Sequence, residues 1–410
     1  MKYELAYSTF QQEEKDAIIE VCESDRFTMG EKVRTFENQF AKYFGKKYAI
    51  MVNSGSSANL IGIASLFHRK EKPLSRGDEV IVPCISWATT YYPLLQYGLK
   101  LKFVDVDIST LNYDINKLKA AVSDKTRMIV AVSILGNPCE LDELSTICKQ
   151  NDITLFEDNC ESMGAKYKGK FTGTFGLINT FSTFFSHHIS TGEGGLILTD
   201  CKEIYNLCLS LRNHGWTRDQ EDDSPIFNKR DNDFFEAYRF ILPGYNVRPS
   251  EINGAVGSIQ LSKLDNYIST RRRNAEVFSH YFGTDERFII QKEVGESSWF
   301  SFTMIANQEA GIDRSDVLPL LKSANIGHRI ITGGNFLRHD VIKYFDYEYG
   351  SCENADTAHY QGFFVGNGPI DLEKEIKYLS KTLESLGSST KGNAHKKRKT
   401  LNNKGASYEL

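Results

Sequence analysis

Two adjacent histidines lie in a segment of small residues that could carry proton-transfer chemistry. His187 and His188 precede a Gly-Glu-Gly-Gly run at 192–195. An imidazole changes protonation near neutral pH, so it can take a proton from a reacting group and return it. The chain has no lysine between Lys170 and Lys202. The segment therefore predicts acid–base chemistry rather than covalent chemistry through an amine.

A second run of small residues, Asn-Ser-Gly-Ser-Ser-Ala-Asn at 53–59, could bind a phosphate group. It leads into an apolar pattern typical of a helix, and a helix start offers free N–H groups at the positive end of the helix dipole. Ser56 and Ser57 add two hydroxyls. A serine-rich helix cap without any ligand has the same appearance, so both interpretations stay open at this point.

Three further features could complete a site for a flat, phosphorylated ring. Asp158 follows a predicted strand, where a carboxylate could pair with a ring nitrogen and keep it protonated. Trp87 also follows a predicted strand and could stack on a ring. The loop Pro243–Arg248 offers amide and guanidinium donors. Each feature alone is equally well explained by a turn, by packing or by an ordinary loop.

The elements that carry these residues alternate between strands and helices. Short β-branched runs occur at 79–82, 101–106, 127–134, 153–156 and 196–199. Helical patterns such as 140–150 separate them, which predicts a largely parallel sheet with crossover helices. Ligands of such sheets bind beyond the carboxyl ends of the strands.

The pattern changes after residue 248, which divides the chain into three parts. Residues 1–248 predict a large α/β domain, and residues 249–386 predict a smaller α+β domain that starts with a helix over 251–282. Residues 387–410 are rich in Gly, Ser, Asn and Lys and predict a disordered tail.

Composition narrows the classes of partner and location. The net charge of −4 gives no general attraction to nucleic acid or anionic lipid. The chain starts without an apolar signal segment and has no apolar run long enough to span a membrane, so a soluble cytoplasmic protein is expected. None of the eight cysteines forms a C-x-x-C pair, which disfavours a metal site, a disulfide framework or an iron–sulfur cluster.

In order and spacing, these features resemble the DegT-type sugar aminotransferases, which have the fold-type I, aspartate aminotransferase-like architecture of pyridoxal-phosphate enzymes. The resemblance runs from about residue 6 to about residue 386. Segments that match the sugar dehydratases within this family include 212–218, 242–249, 295–300, 332–337 and 362–367. The resemblance implies pyridoxal 5′-phosphate and pyridoxamine 5′-phosphate as cofactor forms, bound by the large domain, and a homodimer with shared active sites.

The resemblance also assigns roles to individual residues. Those that match the family's cofactor ligands are Ser56, Ser57, Trp87, Asp158, Glu161, Ser182 and Asn246. The serines are expected at the phosphate, Trp87 on the ring face and Asp158 at the ring nitrogen. Asn246 is expected to reach the cofactor of the neighbouring subunit. Glu161 replaces the glutamine usual in aminotransferases, and a carboxyl group near the phenolic oxygen would favour a protonated phenol.

The lysine that holds the cofactor covalently in this family lies six residues before the glutamate of Gly-Glu-Gly-Gly, and His187 occupies that position. Histidine there marks the sugar 3-dehydratases of the family. The resemblance thus implies removal of the C3 hydroxyl from a GDP-linked 4-keto-6-deoxy sugar, with L-glutamate as amine donor. The product would be a 3,6-dideoxy-4-keto sugar for colitose-type lipopolysaccharide O-antigen. His187 is expected to remove a proton and to protonate the leaving hydroxyl.

Other residues could share these roles. His188 is the weaker base candidate, because neighbours in an extended segment point in opposite directions. His214 could orient His187 or relay protons to it. Possible contacts to the nucleotide sugar are Arg218, Arg248, Glu296, Ser298, His328 and Arg329. Gly368 departs from the histidine that these dehydratases typically carry at this position.

Three alternatives remain. The first is a dehydratase for a CDP-linked sugar that works through an iron–sulfur centre, which the cysteine spacing disfavours. The second is a dehydratase or 4-aminotransferase for another nucleotide-linked 4-keto-6-deoxy sugar. The third is a catalytically inactive relative that still binds the cofactor.

Overall fold

The structure, a computed structural model, describes residues 1–387, so positions 388–410 of the predicted tail lie outside the described residues. The α-helices are α1 (Gln12–Glu23), α2 (Glu31–Phe44), α3 (Gly55–His68), α4 (Ala88–Gln96), α5 (Ile115–Ala121), α6 (Leu141–Gln150), α7 (Lys202–Arg212), α8 (Asp233–Glu236), α9 (Glu251–Phe282), α10 (Arg314–Ser323), α11 (Glu353–Gln361) and α12 (Glu373–Glu384). The strands are β1 (Tyr48–Val52), β2 (Glu79–Pro83), β3 (Lys100–Val104), β4 (Thr126–Val132), β5 (Thr154–Asp158), β6 (Lys166–Tyr167), β7 (Lys170–Phe171), β8 (Ile178–Ser182), β9 (Gly195–Thr199), β10 (Phe288–Ile290), β11 (Ser301–Ala306), β12 (His328–Arg329), β13 (Tyr347–Tyr349) and β14 (Gly362–Gly366).

The main sheet has eight strands in the order β1-β9-β8-β5-β4-β2-β3-β13. The strands from β8 to β13 in this order pair in parallel, whereas β9 is antiparallel to both of its neighbours. Strands β2, β8 and β9 are buried along their whole length, as expected for a sheet covered by helices on both faces. The predicted α/β fold with a largely parallel sheet is confirmed, and β2, β3, β4, β5 and β9 fall at the predicted positions.

A second, antiparallel sheet has the order β10-β11-β14-β12. It has its own hydrophobic core, which includes Phe302 and Leu379. Helix α9, predicted over the same residues, links this core to a separate hydrophobic cluster around α2. Its early residue Leu264 packs in a cluster with α2, and its last turns place Phe278 and Phe282 in the core of the smaller sheet.

The chain returns to the main sheet after β12. Strand β13 pairs in parallel with β3, with Tyr347 opposite Leu101, and Ile331, Phe336 and Ala355 are buried in the main core. The division at residue 248 stays a prediction, and the structure adds that a segment around 331–358 packs with the large sheet.

Two further properties concern residues 1–387. None of their helices is both long and apolar enough to cross a membrane. No group of three or more His, Cys, Asp or Glu side chains in this range could hold a metal ion.

Cys84 and Cys352 lie side by side in the core, with 2.9 Å between their Sγ atoms.

Candidate active site

The start of α3 forms the predicted phosphate cradle. Ser54 is the N-cap, because its side chain accepts a hydrogen bond from the Ser57 amide at 3.0 Å. The amides of Gly55 and Ser56 have no acceptor within residues 1–387, so both can donate to an oxyanion. The Ser56 hydroxyl donates to Thr89 Oγ1 at 2.9 Å, which places it beside the start of α4.

The glycine at position 55 lets a third serine reach this cradle. A Cβ atom on Gly55 would lie 2.6 Å from Ser182 Cβ and 2.9 Å from Cys160 Sγ. Both distances are shorter than van der Waals contact, so only glycine fits without a shift. Ser182 ends β8, and its close approach brings its hydroxyl next to the first turn of α3.

Asp158, the last residue of β5, is a buried carboxylate held by two helices. Its Oδ2 accepts from Asn59 Nδ2 on α3 and from Thr90 Oγ1 on α4, both at 2.8 Å. Trp87 precedes α4 and leaves 59% of its surface exposed. Since Thr90 and Trp87 belong to the same turn of chain, the carboxylate and the exposed indole are fixed relative to each other.

His187 is oriented by a hydrogen bond to the loop after β5. Its Nδ1 lies 2.6 Å from the Cys160 carbonyl oxygen, so Nδ1 carries the proton and Nε2 keeps the lone pair. Burial is the main cause that lowers the pKa of His187 to about 4, and the positive charge of Arg271 acts in the same direction. The imidazole is therefore neutral at pH 7 and can accept a proton at Nε2.

His188 has a different environment. It is fully buried, and neither of its ring nitrogens makes a hydrogen bond of ordinary geometry within residues 1–387, although the nearby Ser298 backbone favours the protonated ring. Burial lowers its pKa well below the usual value. A fully buried ring is a poor general base for a bound substrate, which supports the choice of His187 over His188.

Glu161 lies close to Asp158 and has a raised pKa. Its Oε2 accepts from the Leu135 amide at 3.0 Å and from Thr332 Oγ1 at 3.2 Å. Burial is the main cause that raises its pKa to about 7, and the charge of Asp158 adds to the effect. Near neutral pH this carboxyl group can therefore accept or donate a hydrogen bond.

Both donors to Glu161 sit in strained backbone. Leu135 has φ 51° and Thr332 has φ 49°, a left-handed conformation that is costly for residues other than glycine. Strain of this kind persists only when surrounding contacts hold it, and it is frequent at functional sites.

These residues together fit a phosphorylated pyridine cofactor. The start of α3 and Ser182 supply donors for a phosphate, Trp87 offers an exposed aromatic face, and Asp158 is a buried carboxylate suited to a protonated ring nitrogen.

Comparison with known proteins agrees with this geometry. The family model described as the DegT/DnrJ/EryC1/StrS aminotransferase family matches residues 8–383. The chain belongs to this family.

Within the DegT family, the chain is similar to GDP-4-keto-6-deoxy-D-mannose 3-dehydratase of Escherichia coli O55:H7, with 52% identity over 94% of this chain and 100% of that protein. It also resembles two crystal structures of GDP-4-keto-6-deoxymannose-3-dehydratase, each with 52% identity and a TM-score of 0.92 over 93% of this chain and 100% of the other. One is a His-to-Asn variant with bound GDP-perosamine, and the other contains a trapped PLP-glutamate geminal diamine. The predicted family and fold are thereby confirmed.

Several residues assigned from the DegT resemblance gather on two partly exposed loops after α7. Residues 213 and 246 pair through an antiparallel bridge, and Asn246 accepts from Arg248 Nε at 3.0 Å. His214 and Arg218 both lie against Trp216, and no hydrogen bond joins His214 to His187 in the described chain. The roles of Asn246, Arg248, Arg218 and His214 stay predictions.

The other predicted sugar contacts lie on separate elements. Glu296 and Ser298 lie in the loop before β11. Glu296 forms a salt bridge of 3.1 Å with Arg272, and Ser298 is fully buried. His328 and Arg329 form the edge strand β12, and His328 Nδ1 lies 2.8 Å from the carbonyl oxygen of residue 326. As placed here, Ser298 has no exposed surface for a ligand, and its predicted contact has no support from the structure.

The sequence assigns no role to four residues of the site. They are Asn59, Thr90, Thr332 and Phe300, whose ring centroid lies 5.1 Å from that of His187. Asn59 closes the small-residue run and Thr90 follows Trp87 by one turn, a spacing that could have suggested a shared partner. The contacts of Phe300 and Thr332 join distant parts of the chain, so no local pattern shows them.

Proposed function

We propose that this protein is a pyridoxal/pyridoxamine-phosphate-dependent GDP-4-keto-6-deoxy-D-mannose 3-dehydratase with L-glutamate as amine donor, acting in colitose-type O-antigen synthesis. The observation that carries the proposal is the replacement of the family's lysine by His187. Its protonated Nδ1 is held by the Cys160 carbonyl, which leaves Nε2 as a proton acceptor.

The chemistry divides between the cofactor and the chain. When bound, the cofactor supplies an electron sink conjugated with the sugar. His187 Nε2 accepts a proton and can return it to the C3 hydroxyl as that group leaves. The lowered pKa of His187, about 4, makes its protonated form a stronger acid than an ordinary imidazolium, which favours the return step and makes the ring a weaker base in the first step. Asp158 keeps the ring nitrogen protonated.

Three parts of the proposal depend on relatives. The GDP-linked sugar is supported by the name of the E. coli relative and by the bound GDP-perosamine, and glutamate is supported by the trapped adduct. The homodimer with shared sites rests on the DegT resemblance, and the exposed position of Asn246 is compatible with it. Cytoplasmic location stays a prediction from the sequence.

The direct test is product analysis. The protein is incubated with pyridoxal phosphate, L-glutamate and GDP-4-keto-6-deoxymannose, and products are measured by mass together with ammonia release. Loss of one water with stoichiometric ammonia supports the dehydratase. A stable 4-amino sugar would show an aminotransferase instead, and an unchanged sugar despite bound cofactor would show the inactive relative. The CDP-linked sugar, tested in parallel, should react much more slowly.

The role of His187 is tested by replacement with lysine. His187→Lys should bind pyridoxal phosphate covalently, as seen in the absorbance spectrum, and should lose dehydration by about 100-fold or more, because general acid–base catalysis contributes about 10²–10⁴-fold. His187→Asn is the companion variant: it removes the base without supplying an amine, so it should lose dehydration without binding pyridoxal phosphate covalently. A His187→Lys variant that dehydrates as fast as the parent would exclude His187 as the base.

A further inference from the structure

A buried arginine without a counter-ion lies behind the histidine segment. Arg271 on α9 is 2% exposed, and its guanidinium forms no ion pair within residues 1–387. One of its nitrogens, Nη1, instead donates to the carbonyl oxygens of Trp299, Phe300 and Asn367 at 3.3, 3.0 and 3.2 Å. Burying an unpaired cation is costly, so its position calls for a physical reason.

Its hydrogen bonds hold the backbone of Trp299 and Phe300. Trp299 has φ 46°, the left-handed conformation. The Phe300 amide donates to the Leu135 carbonyl oxygen at 3.0 Å, so this segment is held on both sides. Such a conformation persists only where neighbouring groups fix it, and Arg271 supplies two of those contacts, to the carbonyl oxygens of Trp299 and Phe300.

The ring of Phe300 contacts both histidines. Its centroid is 5.1 Å from the His187 ring and 5.6 Å from the His188 ring, with edge-to-face geometry in both pairs. Contacts of this type fix the orientation of aromatic rings. Phe300 therefore restricts the His187 ring in addition to its hydrogen bond with Cys160 and its contact with the Phe184 ring.

We propose that Arg271 and Phe300 are positioning residues for His187: Arg271 clamps the strained Trp299–Phe300 backbone, and Phe300 fixes the His187 ring and keeps water from it. Arg271 also acts through its charge, since it disfavours a second positive charge on His187. The proposal rests on the proposed function only in taking His187 as the base.

The electrostatic effect has to be judged against every group that faces His187. Asp158 and Cys160 face it from the end of β5, His188 from its own loop and Arg271 from α9. Burial is the largest cause of the low pKa of His187, Arg271 lowers it further, and Asp158 and the Cys160 hydrogen bond oppose both. Loss of Arg271 or of the Phe300 ring should thus raise the pKa of His187.

The test uses NMR of histidine-labelled protein, without substrate. The His187 resonance is identified by its absence in His187→Asn and titrated in the parent, in Arg271→Met and in Arg271→Lys. We expect the midpoint to rise by about one pH unit in Arg271→Met, the size of shift typical of a nearby charge. In Arg271→Lys it should stay close to the parent. Arg314→Met is the matched control, because Arg314 also donates through Nη1 to two backbone carbonyls but on α10.

Phe300→Leu tests the effect of the Phe300 ring on His187 while the charge of Arg271 is kept. It also provides the test of the proposal if Arg271→Met does not fold. It should raise the His187 midpoint and lower kcat about tenfold, while KM for the nucleotide sugar changes little. An unchanged His187 midpoint in folded Arg271→Met, or in Phe300→Leu, overturns the proposal. Because the titration requires no turnover, failure of the dehydratase assay and failure of this proposal are distinguishable.

Discussion

Glu161 should make the stability of the cofactor-free protein fall as the pH rises from about 5 to about 7. Burial raises its pKa from 4.5 to about 7 in the folded protein. Between these values the folded state keeps a proton that the unfolded state has lost, so folding becomes less favourable as the pH rises. Replacement by glutamine removes the titration while keeping an acceptor for the Leu135 amide and for Thr332.

The size of the effect follows from the two pKa values. Their separation corresponds to roughly 3 kcal/mol, since one pKa unit is worth about 1.4 kcal/mol. Because Glu161 is partly exposed, solvent screening reduces this, and we expect about 1–3 kcal/mol. Relative to the parent, Glu161→Gln should therefore gain this much free energy of unfolding between about pH 5 and pH 8.

The assay is urea unfolding of cofactor-free parent and variant at several pH values, followed by circular dichroism. Asp142→Asn makes the same change of charge and is the control. Hydrogen bonds from Lys168 and Tyr167 hold the pKa of Asp142 below its usual 3.8, so its contribution is constant between about pH 5 and pH 8 and is lost only in acid. If the difference between Glu161→Gln and the parent does not change with pH, Glu161 is ionised in the folded protein and the reasoning is refuted.

Two further substitutions test the cofactor cradle. Gly55→Ala should weaken pyridoxamine phosphate binding about tenfold or more, because the added methyl would lie 2.6 Å from Ser182 Cβ and overpacking costs about 1–3 kcal/mol. Binding is measured by equilibrium dialysis. The control is Gly350→Ala, whose added methyl meets nothing within 4 Å and which should bind like the parent. Thr90→Val removes one donor to Asp158 and should weaken binding by about 1.5–3 kcal/mol, measured by the same dialysis. Thr146→Val, on the exposed side of α6, should leave affinity unchanged; equal affinities of Thr90→Val and the parent would show that the Thr90 hydrogen bond is not needed to hold Asp158 for cofactor binding.

Much of the fold was predictable because the strands carry a strong local signal. The β-branched runs that became β2, β4 and β9 are fully or almost fully buried, and α9 begins at a capping box formed by Ser250 and Asn253. Strand β13 was not predicted. Its sequence, Tyr-Glu-Tyr, has only three residues, and its pairing with β3 depends on contacts 246 positions apart in the chain.

The residues of the site likewise divide into those that a local pattern predicts and those that depend on long-range contacts. Asp158 and Trp87 could be predicted because each follows a run of residues with a strand pattern. His187 could be predicted because its distance from the Gly-Glu-Gly-Gly run matches a family pattern. Glu161 was noticed, but its raised pKa depends on burial that the sequence does not show. The roles of Arg271 and Phe300 could not be predicted from the sequence, because neither lies in a local pattern that indicates its contacts. Arg271 donates to three backbone carbonyls, and Phe300 contacts two imidazole rings.

The return of the chain to the main sheet has a consequence for protein engineering. Strand β13 closes one edge of the eight-stranded sheet, and Thr332, on the segment between β12 and β13, reaches Glu161. A chimera that exchanges everything after residue 248 for the corresponding part of another DegT enzyme would thus replace an edge strand and a hydrogen-bond donor of the site as well as the smaller sheet. Exchanges intended to alter sugar recognition alone should keep the native residues 331–358 and place their junctions on either side of that segment.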